Sequence, residues 1–262
     1  MIIRLRTWAE RVTRPLTFKR RLPPPFDAAI IYVSPSAALA YAFKPMHALD
    51  PALLRCAAQF VRPGTVVWDI GANVGLFAAA AAARAGAEGQ IIAFEPDVSL
   101  VQLLRRSSEI SSAAIAPITV VPAAVGGQVG IRAFHIAARG RASNALAEYG
   151  HSQMGGVRHR QCVPTFNLDW LLTQFPPPDL IKIDVEGAEI EVLQNQRRML
   201  DQIRPAFICE VSEQNSAVAT DIFSAVRYRL YDGGEPFNAD RPVAHAPWNT
   251  VAIPEEKVAA YG

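Results

Sequence analysis

Cysteine is scarce in this 262-residue chain, with three residues, Cys56, Cys162 and Cys209, and no C-x-x-C pair. That spacing excludes a disulfide framework or a zinc ribbon and implies free thiols in a reducing compartment, so a cytoplasmic location is expected. No apolar run approaches the ~18 residues of a membrane-crossing helix. No apolar stretch follows the basic N-terminus as it would in a signal peptide. Charge of one sign is nearly absent in sum, with 26 Lys and Arg against 24 Asp and Glu. Aromatic residues make up 8%. The single basic block is short and sparsely interleaved with aromatics, so a nucleic-acid partner is not expected. No internal repeat is visible. With half its residues apolar and 19% charged, the chain reads as one α/β domain with a large core.

The balanced charge hides an asymmetry. Residues 1–21 carry seven Arg and Lys against one Glu. Ile2, Leu5, Trp8 and Val12 fall near one helical face, a pattern compatible with weak contact to an anionic membrane surface. A peripheral membrane location is the alternative to a plain cytoplasmic one. Leu22-Pro-Pro-Pro25 reads as a stiff break. The expected organisation is a basic segment and Pro-rich linker (1–25), a cap of helix and strand (26–64), a main domain (65–255) and a short tail (256–262).

The richest stretch is Thr65-Val-Val-Trp-Asp-Ile-Gly-Ala-Asn-Val-Gly-Leu-Phe77. It reads as strand, glycine turn and Ala-rich helix, the opening of a nucleotide-type α/β fold. A dinucleotide site wants G-x-G-x-x-G, so that a pyrophosphate can reach the helix N-terminus. Here Asp69 stands where the first glycine belongs, which argues against an NAD-dependent oxidoreductase. An acid there suits a ligand presenting a cation and hydroxyls, such as S-adenosylmethionine (SAM). Gly71 and Gly75 supply backbone freedom. Asn73 either holds the turn or reaches the ligand's carboxylate. The next strand, Ile91-Ile-Ala-Phe, ends in Glu95, near the spacing at which a βαβ unit sets an acid on a ribose diol.

Further on, Leu180-Ile-Lys-Ile-Asp184 reads as a strand leaving the sheet into Val185-Glu186-Gly187. Asp184 and Glu186 lie on the ligand rim, where a carboxylate can take a hydroxyl proton or orient an acceptor. Two acids alone do not make a metal site. Lys182 shares a strand face with Asp184. Glu210 ends another strand, while Glu189, His245 and Trp248 are weaker candidates.

Asp69 to Gly75, Phe94-Glu-Pro96 and Leu180 to Glu189, in that order, resemble the FkbM family of SAM-dependent methyltransferases over roughly residues 60–255. The resemblance implies a Rossmann-like class I methyltransferase fold, with a mostly parallel seven-stranded sheet and an antiparallel closing strand. It implies SAM as cofactor, Ala123 and Ala124 beside its adenine, and O-methylation of a small-molecule or glycan hydroxyl. A non-catalytic SAM-binding or membrane-associated module is the competing reading. Oligomeric state is not legible. Residues 137–160, with Arg139, Arg141, His151, Arg158, His159 and Arg160, read as a long flap on the acceptor side. The segment Ala142-Ser-Asn144 is where the family often keeps a small polar residue.

Overall fold

The computed structural model describes residues 16–38, 40–110, 112–138, 144–149 and 156–262. The chain starts with a hairpin, β1 (Phe18–Arg21) and β2 (Ile30–Val33), followed by the short helix α1 (Ala40–Phe43). Leu22, expected in a stiff break, is buried with Phe26, Ala29 and Ile31 in the main core. This segment is therefore the turn of a hairpin packed on the domain. The basic amphipathic pattern of Ile2 to Val12 lies outside the described residues, as do Arg139, Arg141 and His151.

Helix α2 (Pro51–Phe60) starts where Asp50 accepts a hydrogen bond from Leu53 N at 2.9 Å, with Pro51 in the first turn. This is the cap chemistry that Asp-Pro encodes. Alternation then runs β3 (Val66–Ile70), α3 (Leu76–Ala85), β4 (Gln90–Phe94), α4 (Val98–Glu109) and β5 (Ile118–Val121). Asp97 caps α4 through Ser99 N at 2.8 Å. Eight of the ten α3 residues are buried. Alanine forms helix well and lets the helix lie close on the sheet.

After β5 the rhythm breaks. A second sheet forms from β6 (Ala124–Val125), β7 (Gly130–Ala137), β8 (Ala145–Leu146) and β9 (Val157–Phe166). Its order is β6-β9-β7-β8. The expected flap is thus partly strand: Arg158, His159 and Arg160 belong to β9, paired in register with β7. Asn167 caps the one-turn helix α5 (Leu168–Leu171) through Trp170 N at 2.8 Å. The main sheet resumes with β10 (Leu180–Ile183) and helix α6 (Glu189–Leu193). The residue pattern of 188–200 predicts a single helix. Instead Gln194 is extended, Asn195 sits at φ +62°, and a π-type turn covers Arg198–Ile203. The chain closes with β11 (Ala206–Glu210), α7 (Ser216–Ala225), β12 (Tyr228–Asp232) and β13 (Asn249–Pro254).

The seven-stranded sheet runs β12-β13-β11-β10-β3-β4-β5. Strands β11 to β5 are parallel, and β13 is antiparallel to both β11 and β12. The side-chain period of two divides each strand between two cores. Val67, Ile91, Ala93 and Leu180 face one core, with α2 and α3. Trp68, Ile92, Phe94 and Ile181 face the other, with α5, α6 and α7. A sheet covered on both faces gives the near-continuous apolar strands seen in the sequence. Ligands in such sheets bind beyond the carboxyl ends of the strands, where the order reverses. Here that point lies between β3 and β10.

Candidate active site

A cavity of about 300 Å³ opens there, within the range of small-molecule sites, ~300–1,000 Å³. Its floor is the turn after β3. Gly71 has φ +75°, and a Cβ on it would stand 1.8 Å from the Asp184 carbonyl oxygen. The neighbouring loop therefore requires a glycine at this point of the cavity wall. Asn73 holds a left-handed φ of +53°, and Gly75, at +86°, would drive a Cβ to 2.3 Å from Leu104 Cδ1. Gly75 thus serves the packing of α3 against α4 and is not on the cavity wall.

Glu95 is on the wall and only 5% exposed. Its Oε2 accepts a hydrogen bond from Asn73 N and its Oε1 from Asp97 N, both at 2.8 Å. These bonds fix the carboxylate and leave its remaining lone pairs free for a ligand. Burial, reinforced by the Asp97 charge, pushes Glu95 up to about 8 against the pull of the two amides. Ala123 and Ala124 form an adjacent patch of wall with no bulk.

Asp69 departs from the expectation that it lines the mouth. It is fully buried and off the wall. Its Oδ1 lies 3.4 Å from Lys182 Nζ on the neighbouring strand, where Lys182 pairs in register with Asp69. Lys182 Nζ also donates to Gly71 O at 2.8 Å and lies 3.2 Å from Asp184 Oδ2. Burial works against the ammonium charge, but Asp184 and Asp69 outweigh it and hold the lysine pKa above its ordinary value. Burial pushes Asp69 up, and Lys182 pulls it back. The lysine thus ties the β3 turn to the β10 turn, and Asp69 acts on the cavity through it.

The β10 turn carries Asp184, with its side chain 31% exposed, and Glu186 at φ +54°. Both line the cavity. Glu189, behind them, accepts hydrogen bonds from Val185 N at 3.2 Å and Gly187 N at 3.0 Å, which shapes the turn. Glu210, from the end of β11, completes this rim. Burial and the charge of Asp184 push Glu186 to about 8 and Glu210 to about 7. Trp248 is exposed, and neither it nor His245 is on the wall.

Three contributions were missed by sequence reasoning. Tyr41 and Asp50 of the N-terminal region line the cavity, though Asp50 was legible as a helix cap. The second sheet supplies a roof through Phe134, Asn144 and Leu146. Asn144 Nδ2 donates to Asp97 Oδ2 at 2.7 Å, while Asn144 Oδ1 accepts from Ala137 N at 2.8 Å. Gln161 Nε2 donates to Pro96 O at 2.9 Å. These bonds pin the roof to the loop that carries Glu95. Pairings between segments so distant in sequence leave no local pattern to read.

The sheet order, with one reversed strand inserted next to the last parallel one, is that of the class I methyltransferase fold. Residues 69–234, more than half of the chain, match the family model "Methyltransferase FkbM domain", and the chain belongs to that family. A curated relative, the hexuronic acid methyltransferase AglP of Haloferax volcanii, is 23% identical over 151 residues, covering 58% of each chain. Among solved structures, methyltransferase FkbM from Methylobacillus flagellatus aligns at 17% identity with a TM-score of 0.47, over 76% of this chain and 49% of that one. Precorrin-6y C5,15-methyltransferase from Geobacter metallireducens aligns at 14% identity with a TM-score of 0.42, over 80% and 88%. The chain therefore spans little more than half the length of that curated relative. No helix of the described residues is long and apolar enough to cross a membrane.

Proposed function

We propose that this protein is a SAM-dependent O-methyltransferase acting on a hydroxyl of a glycan, glycolipid or specialised metabolite. The observation that carries the reading is Glu95: a buried carboxylate, fixed by two backbone amides, on the wall of a cavity at the strand carboxyl ends. The residues present fit the cofactor. Glu95 would accept from the ribose hydroxyls, and charge-assisted bonds of this kind are strong. Ala123 and Ala124 would lie against the adenine. The Gly71–Asn73 turn would face the amino-acid end, with Asp69 beneath it neutralised by Lys182. Bound there, SAM supplies an electrophilic methyl group on a sulfonium.

What remains for the chain is to align an acceptor hydroxyl and to dispose of its proton. Asp184 and Glu186 stand on the opposite rim. Glu186, at about 8, is matched to accept a proton near neutral pH, since a general base works best with a pKa near the working pH. Asp184, held 3.2 Å from Lys182 Nζ, is fixed in direction and suits orientation of the hydroxyl at the transfer centre. The roof strands would exclude water from this end. The Haloferax relative is named for a hexuronic acid, a carboxylated sugar; this supports a sugar-type acceptor over an amine or carbon centre, and the charge of this chain's own acceptor rim decides whether that sugar carries a carboxylate.

The test has two steps. Calorimetric titration should give micromolar binding of SAM or S-adenosylhomocysteine and no binding of NAD. Isotope-labelled SAM incubated with a panel of hydroxylated extracts should then yield a labelled ether, detected by mass spectrometry. NAD binding without SAM binding would overturn the reading. SAM binding with no transfer to any extract would favour the non-catalytic module.

A further inference from the structure

We infer that the acceptor end of the cavity takes a hydroxyl flanked by uncharged or amine-bearing groups and rejects carboxylated acceptors, with Asp50 and Tyr41 of the N-terminal cap helping to set that choice. The inference rests on the methyltransferase reading and deepens it. The two ends of the cavity differ in chemistry. Towards Glu95 the wall is small and apolar: Ala123, Ala124, Phe134, Leu146. At the other end, four carboxylates from three separate segments converge: Asp50 before α2, Asp184 and Glu186 after β10, and Glu210 at the end of β11.

The cavity defines the site, and the balance of charge within it defines the guest. Lys182 is the one cation on the wall among the described residues. It is already engaged by Gly71 O, Asp69 and Asp184, at 2.8, 3.4 and 3.2 Å. Burial and mutual repulsion already keep protons on part of this rim near neutral pH, so an incoming carboxylate would add to that repulsion and find no unengaged counter-charge among the described residues. Opposed like charges in a shielded pocket are strongly unfavourable. Hydroxyl and ammonium donors, by contrast, would satisfy the carboxylate oxygens. A smaller cavity behind this end shares Asp50, Lys182, Asp184 and Glu210 with the main one. Asp50, Asp184 and Glu210 therefore stand between the two cavities. Tyr41 and Asp50 also lie outside residues 69–234, the part that matches the family model.

The experiment uses the full chain loaded with S-adenosylhomocysteine. Its loading is confirmed first by calorimetry, and failure at that stage would count against the methyltransferase reading itself. Saturation-transfer NMR then measures binding of three matched probes: methyl glucosaminide, methyl glucoside and methyl glucuronide. The glucuronide should bind at least about tenfold more weakly than the better of the other two. The double variant Asp50→Asn/Glu210→Gln, in which Asn retains the helix cap, should shrink that ratio to about threefold or less without changing the S-adenosylhomocysteine affinity. Tyr41→Phe should weaken glucoside binding while sparing cofactor loading. A glucuronide bound as tightly as the others would overturn the inference, as would an unchanged ratio in the double variant. Loaded protein that binds none of the three also counts against it.

Discussion

The two ends of the cavity are built differently. The β3–β4 side is made largely of backbone: one turn with left-handed Gly71 and Asn73, and a glutamate held by two amides. Its residues lie within about 30 positions of one another and form one βαβ unit. The β10–β11 side is made of side-chain charges gathered from positions 50 to 210, with one lysine among them. Backbone geometry suits a cofactor that does not vary, and side-chain charge suits an acceptor that does. This division explains why the first side falls within a family-wide pattern while the second draws on residues outside it.

The sharpest way to break the comparison is Gly71→Ala. The added methyl would collide with the Asp184 carbonyl at 1.8 Å and sit at φ +75°. Because this one position joins both sides, we expect cofactor binding and turnover to disappear together. The loss of stability should be about 3 kcal/mol or more in urea unfolding, as for steric overpacking combined with backbone strain. Next come Glu186→Gln and Asp184→Asn. Each should lower methyl transfer by roughly 10²–10⁴-fold and leave S-adenosylhomocysteine affinity within a few-fold. In the wild type the rate should climb as pH rises towards 8, because Glu186 must lose its proton to act. That limb should vanish in Glu186→Gln, and an unchanged profile would remove Glu186 as the base.

A smaller effect is expected on the other side. Above pH 8, where Glu95 is ionised, Glu95→Ala removes a charged hydrogen-bond acceptor worth about 1.5–3 kcal/mol, so cofactor affinity should fall by roughly tenfold to a hundredfold. Calorimetry with Glu95→Gln alongside would separate charge from shape. The smallest effect is on stability with pH. Glu95 and Glu186 are raised to about 8 and Glu210 to about 7 in the folded protein. Their unfolded values lie near 4.5, so the folded state holds protons that the unfolded chain releases. This contribution is complete below pH ~4.5 and is lost as pH rises through 7–8. The melting temperature of the ligand-free protein should therefore decline across that window, and less steeply in Glu186→Gln.

Much of the fold was legible because its strands and turns are encoded locally. Asp50-Pro51, Asp97 and Asn167 each cap the helix their types predict. The apolar runs at 66–70, 91–94 and 180–183 became central strands. Glu95 was legible as a cavity residue because its place at the end of β4 follows from position in one βαβ unit. Asp69 was misplaced for a physical reason. Sequence spacing locates a residue on a strand but does not reveal that Lys182, more than a hundred positions away, pairs in register with it and draws its charge inward. The second sheet was half legible: β7 and β9 were seen as short strands, but their full pairing depends on long-range register. The break at Gln194–Asn195 in an otherwise helical pattern reflects local backbone geometry that periodicity does not capture.

The contact between Gly71 and the Asp184 carbonyl also has a bearing on redesign. Because the two turns touch through bare backbone, neither can be lengthened or shifted without prying the other open. Laboratory evolution of a new acceptor preference would have to leave that junction alone. It would find its freedom instead in the hairpin and α1 ahead of the first parallel strand, and in the strands of the roof.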